Sequence, residues 1–138
     1  MTTRPNLLLI QADQWHPRTL SVLGHPNVKT PNLDRLAAQG ALFTDATCNQ
    51  PLCMPSRISM LSGQYPSTTR ILGNSGLARR DMPWLPAHLK RHGYATAAFG
   101  KFHVASVGSE QWSFDTAAPT MPEDNDLARP ADNSYERW

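Results

Sequence analysis

Long apolar runs are missing from this chain of 138 residues, the longest strong one being Leu7-Leu8-Leu9-Ile10. Nothing approaches the ~20 residues that a membrane span needs. The same four hydrophobes, preceded by Met1-Thr2-Thr3-Arg4-Pro5-Asn6, fall short of the roughly 7–15 apolar residues of a signal-peptide core. No membrane partner and no secretion by that route are expected. Cysteine is scarce as well: Cys48 and Cys53 cannot make a disulfide framework, and a reduced, cytoplasmic setting is the simpler reading. The length fits one ordinary domain and is too short for a two-domain enzyme.

Acids are few before residue 105, where only Asp13, Asp34, Asp45 and Asp81 face eleven bases, a net +7. From residue 105 onward seven acids face Arg129 and Arg137, a net −5. A basic body suits an anionic partner, either a polyanion or a small anionic substrate. The bases are scattered and no binding motif accompanies them, so a nucleic acid is not the expected partner.

What is present has the rhythm of an α/β sheet. Asn6 to Ala12 reads as a buried strand, a short apolar run without Gly or Pro. Asp13-Gln14 follow at its C-terminal end, where open α/β sheets place their ligands. Thr30 is a plausible N-cap, Pro31 stands at the first helical position and Gly40 follows the last turn of a helix. Ala41 to Ala46 reads as a second strand. Helices are expected over Pro55 to Leu61, stopped by Gly63, and over Pro86 to His92, closed by Gly93. Leu85 and Leu89 share a face of the latter. A strand over Tyr94 to Phe99 leads to Gly100-Lys101-Phe102-His103. After Val104 the periodicity ends, and residues 105–138 read as an acidic polar loop or disordered tail. The chain stops at Glu136-Arg137-Trp138 without a closing element, as a truncated domain would.

The densest chemistry lies in Cys53-Met54-Pro55-Ser56-Arg57. Cys53 falls at or just before a helix N-terminus, where unpaired backbone N–H groups favour an anion. Arg57, four residues on, shares its face and adds a cation. Such surroundings favour a reactive thiolate. A packed small thiol and a solvated arginine explain the same residues equally well from chemistry alone. Lys101 and His103 are two apart, so an extended segment would turn both to one side. His16, His25, His88 and His92 suit structural or solvated roles, and Cys48 a packed thiol.

Cys53-Met54-Pro55-Ser56-Arg57, with its following helix and Gly63, resembles the Cys-x-Pro-x-Arg core of the type I sulfatases, within the alkaline-phosphatase-like superfamily. Gly93 to His103 resembles that family's second signature, a strand ending in Gly-Lys-aromatic-His. Asp13-Gln14 is similar to the family's first metal-binding pair, and Val28 to Gly40 to its first helix, which reads as scaffold. Phe114-Asp115 resembles the family further on.

The resemblance implies an α/β fold: the truncated N-terminal part of an alkaline-phosphatase-like sheet flanked by helices, with residues 1–104 as part of the catalytic domain. It implies that a maturation enzyme oxidises Cys53 to formylglycine, whose hydrate attacks the ester and then eliminates sulfate in two steps. Asp13, Gln14 and the modified Cys53 would ligate a divalent metal, calcium in the first place, with magnesium or manganese as alternatives. Arg57 would stabilise the hydrated aldehyde, Lys101 the sulfate oxygens, and His103 would donate a hydrogen bond or carry a proton. The implied substrate is a small sulfate ester. Gln14 in place of a second Asp resembles the branch holding choline-sulfatase-like enzymes and phosphonate monoester hydrolases. Phosphonate monoester or phosphodiester hydrolysis is therefore the alternative, and a non-catalytic fragment the alternative from another class.

Overall fold

Proline and glycine punctuate the helices where the sequence places them. A computed structural model describes residues 4–79, 81–104 and 114–119, in two compact units, Met1–Ala46 and Thr47–Trp138. None of the helices among the described residues is long and apolar enough to cross a membrane.

In the first unit, two short 3₁₀ turns, Pro17–Thr19 and Ser21–Leu23, precede helix α1, Pro31–Gln39. Thr30 is the residue before the helix, as expected, but its side chain caps nothing. It is drawn into a polar knot instead. The Ser21 amide donates to Thr30 Oγ1 at 3.0 Å, and the Thr30 amide to Ser21 Oγ at 2.8 Å. Ser21 Oγ and Thr30 Oγ1 both donate to the Asp34 carboxylate, at 2.6 and 3.1 Å, and the Val22 amide adds a third bond at 3.1 Å. Two hydroxyls and one acid thus fasten the Ser21–Leu23 turn to α1. Gly40 ends α1 in extended rather than left-handed backbone.

The strands expected at Asn6–Ala12 and Ala41–Ala46 do not form. Leu8 is 86% exposed, Ile10 81% and Phe43 80%. A parallel strand is buried when neighbours pair with its edges and helices cover its faces. Among the described residues no segment pairs with either stretch.

The second unit holds helices α2 (Cys53–Ser62), α3 (Pro66–Thr69) and α4 (Leu85–Arg91) and strands β1 (Ala97–Gly100) and β2 (Thr116–Pro119). Gly63 closes α2 at φ 68°, its amide bonding the Ser59 carbonyl at 2.8 Å, a conformation that costs glycine little. Lys90 and Arg91 populate the last turn of α4, where their charge suits the helix dipole. Met54, Ile58, Ile71, Ala78, Met82, Trp84 and Val104 make the core, with Leu61 and Ala87 packed on it. One face of α2 supplies its centre, since Ile58 and Pro55 are fully buried.

β1 pairs in parallel with β2, Ala97 against Thr116 and Phe99 against Ala118. β2 falls within the stretch expected as loop, and the remainder of residues 105–138 lies outside the described residues. Asp115 starts this pairing. The Thr96 amide donates to Asp115 Oδ2 at 2.7 Å and the Thr96 hydroxyl at 3.1 Å, while Lys90 Nζ lies 3.0 Å from Asp115 Oδ1. The bond from the Thr96 backbone, then Lys90, holds the Asp115 carboxyl below its ordinary value of 3.8. A lowered folded-state value means this contribution is complete above the unfolded carboxyl range and is lost as pH falls through the folded one. Asp115→Asn is therefore expected to flatten the pH dependence of stability below about pH 4 and leave it unchanged from pH 6 to 8. Urea midpoints across that range measure it; an unaltered acid limb would show that Asp115 does not couple to folding.

Candidate active site

α2 opens at Cys53 because Pro55 takes an early helical position and the chain before it is extended at Leu52. Cys53 and Arg57, one helical turn apart, ride on the same helix, whose buried face leaves Cys53 half-buried at its start. Arg57 is only 7% exposed. Its Nη1 donates to the Lys101 carbonyl at 2.5 Å, a charge-assisted bond that ties the end of β1 to α2. From that tether the Lys101 side chain reaches back, and its Nζ lies 3.8 Å from Cys53 Sγ. Three of the residues singled out in the sequence, 48 positions apart at the extremes, thus meet at one point.

His103 arrives differently from the expectation. β1 ends at Gly100, with φ 96°, and His103 itself sits at φ 46°. The segment between them is not a strand, so the alternation that would put Lys101 and His103 on one side does not apply. His103 is 6% exposed, beside the core residue Val104. A left-handed non-glycine residue at such a position stores strain that the surrounding structure must hold. Gln14 has the same feature at φ 55°.

The helix N-terminus also differs from a bare anion site. Pro55 has no N–H, and the Ser56 amide bonds the Leu52 carbonyl at 3.1 Å. The Met54 amide is taken by Asn74 Oδ1 at 3.0 Å. Asn74 escaped the sequence reading, because its only signal is a polar Gly73-Asn74-Ser75-Gly76 turn. Gln50, which donates from Nε2 to the Leu72 carbonyl at 2.8 Å, escaped it too.

Asp13 and Gln14 belong to the first unit and are exposed, in the bend after residues 6–12. They offer one carboxylate and one amide oxygen, hard donors of the kind calcium and magnesium take. Among the described residues no three His, Cys, Asp or Glu side chains gather to hold a metal. The pair is a partial donor set for a cation that takes six or more oxygens. The remaining histidines serve local structure: His16 Nδ1 accepts from the Arg18 amide, His25 Nδ1 from the Val28 amide at 2.9 Å, and His92 bonds the His88 carbonyl at 2.8 Å. Cys48 is exposed rather than packed.

The fold defined by these elements is that of the alkaline-phosphatase-like hydrolases. The chain resembles the phosphonate monoester hydrolase of Agrobacterium radiobacter, with a TM-score of 0.78 and 30% identity over 86% of this chain and 26% of that one. It also resembles, at a TM-score of 0.65 and 30% identity, a protein solved with its substrate D-glucosamine-2-N,6-O-disulfate, over 72% of this chain and 20% of that one. The Sulfatase family model matches residues 5–137, and the chain belongs to that family. Relatives include an ulvan-active sulfatase of Formosa agariphila, 41% identical over 74% of this chain and 20% of its own length. The choline-sulfatase of Rhizobium meliloti is 38% identical over 80% and 22%. The N-acetylgalactosamine-6-sulfatase of Sus scrofa is 36% identical over 97% and 30%. The chain therefore spans between a fifth and a third of the length of these relatives.

Proposed function

We propose that the protein hydrolyses sulfuric esters, with Cys53 converted to formylglycine as its nucleophile-bearing residue. The observation that carries this reading is the meeting of Lys101 Nζ with Cys53 Sγ at 3.8 Å, on a backbone tied down by Arg57. A small anionic ester seated against Cys53 would find one cation directly beside the reacting atom. Lys101 would bind the ester oxygens and stabilise the negative charge that grows on them as the ester bond breaks. Arg57, through the Lys101 carbonyl, holds that ammonium in place. His103, rigidly placed two residues on, is the candidate to give a proton to the departing alkoxide.

Formylglycine supplies a geminal hydroxyl, which lets the enzyme expel sulfate after the first displacement, as a thiol cannot. A divalent cation, calcium first among the candidates, would be held in part by Asp13 and Gln14, and the chemistry it would supply is Lewis-acid activation of a hydroxyl. Because Pro55 and Arg57 are buried in the folded chain, a maturation enzyme reading Cys53, Pro55 and Arg57 would meet them before folding.

Co-expression with a formylglycine-generating enzyme is expected to convert Cys53, read as a mass loss in the peptide that contains it and as aldehyde reactivity. A peptide found wholly as thiol, beside a control sulfatase modified in the same cells, would sink the proposal. The phosphonate monoester hydrolase among the structural neighbours favours a second reading, phosphonate monoester hydrolysis at the same residues. Turnover of an aryl sulfate, an aryl phosphonate and a phosphate diester by the converted protein ranks the two.

A further inference from the structure

Cys53 stands between two residues that are anchored to the same distant loop. Three positions before it, Gln50 Nε2 donates to the Leu72 carbonyl at 2.8 Å. One position after it, the Met54 amide donates to Asn74 Oδ1 at 3.0 Å. We propose that these two bonds form a clasp that sets the orientation of Cys53, which makes Asn74 and Gln50 positioning residues for the chemistry at that side chain. The clasp rests on the ester-hydrolase reading for its effect on turnover, and on geometry alone for the rest.

Beyond the packing of Met54 and Pro55, the start of α2 has few hydrogen bonds to hold it. Leu52 precedes the helix and offers no side-chain cap. Pro55 contributes no amide, and the Ser56 amide already bonds Leu52. The amides of Cys53 and Met54 are the two that the helix cannot satisfy from within, and Asn74 takes the second from twenty residues away. It does the work of an N-cap side chain from outside the helix. Met54 and Pro55 are buried within the first turn and Ile58, Ser59 and Ser62 further along, so loss of the clasp would free the orientation of the helix start at Cys53 and leave the body of the helix in place. The loop is itself lightly confined: a side chain added at Gly73 would touch nothing within 4 Å. Ile71 and Ala78 anchor its two ends in the core, and the bonds from Gln50 and to Asn74 add to that hold. Lys101 reaches Cys53 from a separate tether, through Arg57. Movement of the first turn would therefore change the Cys53–Lys101 separation, and a displacement of about 1 Å at a reacting group can cost on the order of 10²-fold in rate.

The test compares Asn74→Ala, Asn74→Asp and Gln50→Ala in the 138-residue chain with its thiol unmodified. Amide hydrogen exchange at Met54 and alkylation of Cys53 by iodoacetamide are measured, with the exposed Cys48 as internal reference. Asn74→Ala should speed Met54 exchange by about tenfold and shift the Cys53/Cys48 alkylation ratio about threefold, while exchange at Ile58 stays within about twofold of the parent. Asn74→Asp retains the acceptor oxygen and should stay near the parent in both readouts. Gln50→Ala should move both in the same direction as Asn74→Ala, by less. Unchanged Met54 exchange in Asn74→Ala, or an Asn74→Asp chain as disturbed as Asn74→Ala, would overturn the clasp. If Asn74→Ala does not fold, unchanged exchange in Gln50→Ala does so. In the converted protein, Asn74→Ala should lower kcat about tenfold with KM within about twofold of the parent; equal kcat would remove the positioning role. If exchange and alkylation respond as stated but the parent hydrolyses no ester, the clasp stands and the hydrolase reading falls.

Discussion

Replacing Lys101 by alanine is expected to lower kcat for sulfate-ester hydrolysis by about 10²–10³-fold, the usual effect of deleting one preorganised donor at a developing negative charge. The side chain is half-buried and its ammonium is the group that reaches the Cys53 sulfur. Partial removal from water strengthens its field at that point relative to an exposed lysine. The substitution is a clean one, because Arg57 holds Lys101 by its backbone carbonyl, which alanine keeps. The end of β1 should stay where it is, and the free energy of urea unfolding should change by less than about 1 kcal/mol. Lys101→Arg is expected to recover only part of the loss, since a planar fork cannot occupy the place of a compact ammonium. Turnover is measured on protein whose Cys53 conversion has been quantified by mass spectrometry, so that a maturation defect is not mistaken for a catalytic one. A loss under about threefold would remove Lys101 from the charge-stabilising role.

The second large effect is on stability. Ile58→Ala is expected to destabilise the 138-residue chain by about 2–5 kcal/mol, and Ile58→Val by about 0.5–1.5 kcal/mol. Ile58 is 0% exposed and lies in the cluster built by Met54, Ile71, Met82, Trp84 and Val104. Neighbours from α2, from the segments after α3 and from the approach to α4 all lean on it. They cannot all collapse into the space left by three of its four side-chain carbons. Leu8→Ala should change stability by less than about 0.5 kcal/mol, although Leu8 sits in the most hydrophobic run of the chain. Urea unfolding followed by the fluorescence of Trp84, buried in the same cluster, separates the two. A Leu8→Ala penalty as large as that of Ile58→Ala would mean that residues 6–12 are buried in solution.

Those two positions mark the boundary of what the amino-acid order determines here. The helices were legible because their signals are local: Pro31, Pro86 and Gly63 act on the backbone torsions of their immediate neighbours whatever surrounds them. Cys53 and Arg57 were legible for the same reason, since one helical turn brings them onto one face. The strands expected at Asn6–Ala12 and Ala41–Ala46 were not, because apolar alternation or an apolar run only states that a segment would be stable if something paired with it. Among the described residues the pairing went to β1 and to β2, whose Thr-Ala-Ala-Pro sequence carries no strand signal of its own. It is held there by Asp115 on Thr96, nineteen residues apart.

The site divides along the same line. Residue identities, read with the resemblance to the sulfatases, named Cys53, Arg57 and Lys101, and that resemblance pointed to a small anionic ester. Only the folded chain decided that Arg57 grips the Lys101 backbone rather than facing the nucleophile alone, and that His103 leaves the strand through left-handed backbone. It also decided that the α2 N-terminus is closed by Asn74. Each of these is a contact between residues 20 to 44 positions apart or a torsion imposed by such contacts, and the energy that selects it exists only once the chain has brought the partners together.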